Sequence, residues 1–235
     1  MKTLKRISAL ALALVMALAL SACGGPKAPA IPDPAATTDA YLAYILHNDP
    51  AKLQTLYGYA TSADAIAEQA KGLTVYDSLK DSLLDGLSGD EATPNEQSLS
   101  KLTGSIMDLL ARVPYSCTLV SQDNEAGTAV VSVTVDTLPA DAFGDAMSEY
   151  ATPILMQNLD KLTDKQAVLD LTLDILTDYI DQLQPTGQTA ALDVTLTLLT
   201  GTVNGREQPY WDADDAAQVF GSDIMTAILG AELFG

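Results

Sequence analysis

The sequence predicts an α+β domain: an antiparallel sheet of about four strands, in two hairpins, packed against several helices on one face and preceded by a signal peptide and a proline-rich spacer. Three observations predict it. Apolar residues recur at helical spacing before Pro114 and again between Phe143 and Leu183. Two regions, 115–135 and 192–211, alternate apolar and polar residues with period two, and each contains a turn signal. The first 22 residues stand apart, with cationic side chains followed by an apolar run.

Lys2, Lys5 and Arg6 precede the fourteen residues from Ile7 to Leu20, which are apolar apart from Ser8. At about 1.5 Å per residue such a helix reaches roughly 21 Å, short of the ~30 Å hydrocarbon core, so it reads as a secretory signal and not as a permanent span. The run ends in Leu20-Ser21-Ala22-Cys23-Gly24-Gly25, which resembles the lipobox of bacterial lipoproteins. That resemblance implies cleavage before Cys23, acylation of its thiol with palmitate-type chains, and a location on the extracytoplasmic face of the cell membrane. Two acyl chains give stable anchoring where one is marginal. Gly24 to Pro34 carries Pro26, Pro29, Pro32 and Pro34 among Gly and Ala, a composition that favours extended chain. The expected division is a signal peptide over 1–22, a lipidated Cys23 with its linker over 23–36, and a single α+β domain over 37–235.

Within the body, Thr37, Thr38 and Asp39 are expected to cap an amphipathic helix carrying Tyr41, Leu42, Ile45 and Leu46 and ending near His47-Asn48. Asp49-Pro50 restarts a helix with Leu53, Leu56 and Tyr57. Residues 73–87 and 95–113 repeat the helical spacing, the second with Leu99, Leu102, Ile106, Leu109, Leu110 and Val113 on one face; the Gly, Ser, Asp and Pro between them mark a loop. Four helical segments therefore precede any strand.

After Pro114, Tyr115, Cys117 and Leu119 alternate with polar neighbours. The stretch 122–127 turns, and Val131, Val133 and Val135 alternate in return, which describes a hairpin with one wet face. Helical period resumes through Phe143, Met147 and Tyr150, with Pro153 marking a kink or a new start. Leu169, Leu173, Leu176, Ile180 and Leu183 make a further helical stripe; 169–174 also alternates with period two and fits an edge strand, but the overall length and the lack of a turn signal favour helix. Leu192, Val194, Leu196 and Leu198 form a strand, Asn204-Gly205 a tight turn, and 208–211 the returning strand. Asp212 to Asp215 supply capping carboxylates for a last helix with Val219, Phe220, Ile224, Ile228 and Leu229.

The segment YLAYILHNDPAKLQTLYG from Tyr41, the run Ala129-Val130-Val131-Ser132-Val133-Thr134-Val135 and the ending Tyr210-Trp211-Asp212-Ala213-Asp214-Asp215 together resemble uncharacterised Gram-positive lipoprotein families. Those families are similar to cystatin-like or nuclear-transport-factor-like α+β domains. The resemblance implies a tethered extracytoplasmic domain and carries over no catalytic residue. The helices at 73–113 and 147–184 depart from a minimal domain of that kind.

Composition narrows the function further. Twelve Lys+Arg face 31 Asp+Glu, a formal charge of −19, which repels phosphate backbones, and no basic stripe interleaves with aromatics, so nucleic acid is not an expected partner. With Cys23 acylated, Cys117 has no disulfide partner and reads as a small buried hydrophobe. His47 is the one histidine, too few for a zinc cluster, and its place at a helix end argues against a Ser-His-Asp arrangement. Gly86-Leu87-Ser88-Gly89 runs into Asp90-Glu91, which would repel a phosphate. Asp212, Asp214, Asp215 and Asp223 lack calcium-loop spacing, and Asp170, Asp174 and Asp178 lie four apart on a solvated helix face. No metal, cofactor or catalytic residue is expected. Trp211, the single Trp, has two readings: it stacks on a ligand, with Tyr210 and Tyr115 as further ligand-facing candidates, or it closes the core with its indole N–H satisfied locally. The sequence therefore describes a membrane-anchored module that binds a protein or small molecule, or alternatively an accessory envelope protein with an acidic surface, and not an enzyme.

Overall fold

The computed structural model describes residues 30–70, 73, 75–88, 92–139, 143–213, 215–216 and 218–229. In chain order they form α1 (Pro34–His47), α2 (Ala51–Tyr57), α3 (Ser62–Gln69), α4 (Val75–Leu87), α5 (Glu96–Ala111), β1 (Tyr115–Asp123), β2 (Thr128–Asp136), α6 (Phe143–Gln157), a 3-10 turn (Lys161–Thr163), α7 (Lys165–Gln182), β3 (Thr189–Val203), β4 (Arg206–Ala213), a π-helical turn (Gln218–Asp223) and α8 (Ile224–Leu229). The fold is α+β, with one four-stranded antiparallel sheet in the order β1-β2-β3-β4. The two hairpins of the sequence reading thus pair through β2 and β3, and α6 and α7 lie between them in the chain.

Register sets the two faces of this sheet. Val133 links Cys117 to Leu192, and Val131 links Leu119 to Val194, while Leu196 links Ala129 to Ala213 and Leu198 lies beside Trp211. Because side chains alternate, these residues share the inner face, where Ala129, Val131, Val133, Val135, Val194, Leu196 and Trp211 are buried. The opposite face carries Ser116, Thr118, Asp193 and Thr195 to solvent, as the polar positions of the alternation require.

The inner face is covered first by α1, which packs on β1 and β2, and by α8, which packs on β2 and β3; α2 and α5 pack on α1, and α7 on α5. α1 is not the one-sided helix that the sequence suggested. Ala40 through Leu46 are buried without a break, because sheet and helices enclose it all round.

It also starts earlier than expected. Pro34 is its first residue and Asp33 its cap, accepting from the Ala36 N–H at 2.8 Å. Thr37 and Thr38, expected as caps, lie buried in the first turns, where their hydroxyls donate to the carbonyls of Asp33 at 3.0 Å and Pro34 at 3.1 Å. The stretch read as linker up to residue 36 is therefore helical from Pro34, since proline's fixed φ suits a first helical position as well as an extended spacer.

Two further boundaries differ from expectation. α3 was missed because it has a single buried side chain, Ala65; its signal is the cap, where Thr61 accepts the Asp64 N–H at 3.2 Å and donates to the Asp64 carboxylate at 2.6 Å. α6 continues through Pro153 as one helix. The stretch at 169–174 is helical within α7, the reading that its length and lack of a turn signal favour over an edge strand. At the C-terminal end Asp212 belongs to β4, and Asp215 accepts from the Gln218 N–H at 3.3 Å, while Asp214 lies outside the described residues.

Candidate functional site

Tyr115 opens β1 on the inner face, at the sheet's edge. Its hydroxyl donates to the main-chain carbonyl of Asp39 at 3.3 Å, and Lys52 Nζ approaches it at 3.5 Å. Lys52 is held in turn by both carboxylate oxygens of Asp39, at 2.8 and 2.7 Å. The ring completes the contact, 5.8 Å from Lys52 Nζ and 5.2 Å from the His47 imidazole. One side chain each from α1, α2 and β1 therefore closes into a clip.

Chemically the clip is self-satisfied. The ammonium and the carboxylate neutralise each other, and burial, aided by Asp39, pushes the Tyr115 hydroxyl above its ordinary range. Cys117, two residues along the same face, is half-buried; its thiol is pushed up to about 12 by burial, then by Asp39, against a smaller opposite pull from Lys52. A thiol so placed stays protonated near neutrality and is a weak nucleophile. His47 is exposed at the end of α1, with Nε2 3.4 Å from the Val113 carbonyl.

The other ligand-facing candidates lie apart from this clip. Trp211 is 0% exposed and donates its indole N–H to the Pro32 carbonyl at 2.8 Å. Its ligand-stacking reading is corrected on that ground: the indole closes the core between β4 and the start of α1 and presents no face to solvent. Tyr210 stands on the opposite face of β4, paired with Leu199. Its ring covers Gly201, where an added Cβ would come within 3.2 Å of Tyr210 Cε1, so a larger residue there would have to push the ring aside by a few tenths of an ångström. Tyr115 and Tyr210 thus occupy opposite edges and opposite faces of the sheet, and no single site unites the three aromatic candidates. Cys23 lies outside the described residues.

Two polar groupings escaped the sequence reading. Tyr41 and Tyr57 are buried in the core, Tyr41 stacked on Phe220 with centroids 5.4 Å apart. Burial, helped by their mutual proximity and Asp212, raises the Tyr41 hydroxyl, and burial raises that of Tyr57. The Tyr57 hydroxyl faces those of Thr37 and Tyr41 but makes no hydrogen bond of ordinary geometry among the described residues.

The second grouping joins the β3–β4 turn to α2 and α3. Asn204, at φ 51°, donates through Nδ2 to the carbonyls of Gly58 at 2.6 Å and Tyr57 at 3.3 Å, while its N–H donates to Glu68 at 2.8 Å. Asp170, read as part of a solvated face, accepts instead from Asn95 at 3.0 Å and Gln166 at 3.1 Å, tying α7 to the start of α5; Asp174 and Asp178 are exposed. Among the described residues no three His, Cys, Asp or Glu side chains group as metal ligands, and no helix is long and apolar enough to cross a membrane.

No family model matches the chain, and no curated protein does. A solved structure does match: YcdA of Bacillus subtilis, designated a lipoprotein, at a TM-score of 0.60 and 18% identity. The alignment covers 84% of this chain and 56% of YcdA, so the chain spans little more than half the length of that protein. At that identity the likeness establishes a shared fold.

Proposed function

We propose that this chain is a lipid-anchored protein of the extracytoplasmic face of the cell membrane, and that its body binds a protein or small molecule without transforming it. The observation that carries the proposal is the order charged residues, apolar run, Leu20-Ser21-Ala22-Cys23. The designation of YcdA as a lipoprotein supports the same reading and favours kinship with the lipoproteins of Gram-positive bacteria. The non-catalytic reading draws support from Cys117, beside the Tyr115 clip, whose thiol is kept protonated and poorly nucleophilic near neutrality by burial.

The test has two arms. Labelling cells with a clickable palmitate analogue should tag the protein and hold it in the membrane fraction, and Cys23→Ser should abolish both; an unmodified N-terminus in the cytosol would overturn the anchor. Crosslinking on intact cells followed by capture should then recover a partner or a small molecule. The formal charge of −19 favours a second reading, an accessory envelope protein that meets cationic surfaces. An association that disappears with rising salt identifies that reading.

A further inference from the structure

Asn204-Gly205 is the one Asn-Gly step in the sequence, and it is chemically reactive. Glycine leaves its amide nitrogen unshielded by a side chain, and an asparagine carboxamide that is free to rotate lies within reach of the next main-chain nitrogen. Both residues stand in the left-handed region, at φ 51° and 68°, as the tight β3–β4 turn requires. Gly205 is exposed and Asn204 half-buried.

The fold holds the carboxamide away from that reaction. Nδ2 donates to the carbonyls of Gly58 at 2.6 Å and Tyr57 at 3.3 Å, and the Asn204 N–H donates to the Glu68 carboxylate at 2.8 Å. Only the amide nitrogen of this side chain can face two carbonyl oxygens. An oxygen in its place would set a third acceptor against them, and a carboxylate would bring a second negative charge close to Glu68. The latch therefore suits the amide and rejects an acid of the same shape. What it restrains has little else to hold it: α3 buries only Ala65 and packs on α2, and Glu68, in its last turn, ties it to the hairpin.

We propose that Asn204 is a site of spontaneous deamidation gated by this latch. Closed, the latch protects the turn; once open, the turn converts to an acid that cannot close it again, and α3 is released from the β3–β4 hairpin. The Gly205 nitrogen loses its proton to a solvent base and bonds to Asn204 Cγ. The Cγ–Nδ2 bond then breaks, and Nδ2 takes up a proton and leaves as ammonia. Water opens the resulting cyclic imide, at Cγ to give aspartate or at the main-chain carbonyl carbon to give isoaspartate. One water enters and one ammonia leaves, with no oxidant or cofactor, and the step depends on neither the anchor nor a ligand.

Incubating the full chain in mildly alkaline buffer and mapping its peptides by mass spectrometry reads the reaction as aspartate and isoaspartate appearing at position 204. Both should form at least tenfold faster in urea than in the folded protein, because the reaction runs through the open state. Glu68→Ala removes one bond of the latch and should speed conversion of the folded chain about tenfold, a bond to a charged group being worth at least that factor. Asn204→Asp carries the charge of the product while tolerating the left-handed turn; it should raise amide hydrogen exchange across α3 and leave that of β2 unchanged. No acid at position 204 in urea overturns the site, and a folded chain that reacts at the urea rate overturns the protection. A Glu68→Ala chain that reacts no faster than its parent overturns the gate. Unaltered exchange across α3 in Asn204→Asp overturns the release.

Discussion

Shortening the chain from its N-terminus separates spacer from fold. A protein beginning at Pro32 keeps every contact described for α1, and one beginning at Thr37 loses four of them. The Trp211 N–H loses the Pro32 carbonyl at 2.8 Å, and the helix loses its cap at Asp33. The buried hydroxyls of Thr37 and Thr38 lose the carbonyls of Asp33 and Pro34. A lost cap costs about 1 kcal/mol, and a buried donor left without its acceptor costs about 1–3 kcal/mol. Water entering at the new terminus satisfies part of this, which leaves a net loss of about 3–4 kcal/mol. At about 2–4 °C per kcal/mol for a domain of this size, the melting temperature should fall by roughly 10 °C. Urea unfolding followed by circular dichroism gives the free energy, and Trp211 fluorescence reports the same site, shifting to the red as the indole becomes wet. Equal midpoints for the two chains, with unchanged Trp211 emission, would refute the reasoning and return residues 32–36 to the spacer.

Other consequences follow from the same contacts. Since the Cys117 thiol is raised from 9.0 to about 12, its thiolate at pH 8 is about a thousandfold scarcer than that of a free cysteine, and an aromatic disulfide reagent should react slowly until the protein is unfolded. A raised value means that folding favours the protonated thiol. That contribution is fully present below pH 9 and is lost as pH climbs towards 12. Tyr41 and Tyr57, raised from 10.0, act in the same direction, so urea midpoints should decline in alkali and hold steady between pH 7 and 8. Asn204→Ala should lose about 2–3 kcal/mol, because alanine is strained at φ 51° and the latch to α2 is gone; Asn204→Gly relieves the strain, loses the latch and should cost about half as much, with a glycine variant as stable as the parent pointing to a latch of no consequence. Tyr57→Phe removes a buried hydroxyl lacking a well-formed bond and should leave stability unchanged or raised by up to about 1 kcal/mol. A loss of 2 kcal/mol would mean that the hydroxyl is bonded.

The amino-acid sequence by itself determined the elements whose signals are local. Alternation over Leu192–Leu198 and the Asn204-Gly205 turn specify β3 and β4, and the period of Leu169 to Leu183 specifies α7, because side-chain periodicity and turn chemistry act within a few residues. The wet face of the sheet was legible for the same reason. Tertiary structure decided what local pattern leaves open. The cap at Asp33 is chemically ordinary and became decisive once Pro32 met Trp211 across the fold. Ala40 through Leu46 look like a stripe until α5 closes over their second side. Lys52 and Asp39 are thirteen residues apart, on separate helices, and carry no mutual signal in the sequence; Tyr115 brings them into one clip. Long-range packing selects partners by shape and burial after the elements form, so the aromatic candidates separated into a core residue, an edge clip and a glycine cover, assignments that no spacing along the chain encodes.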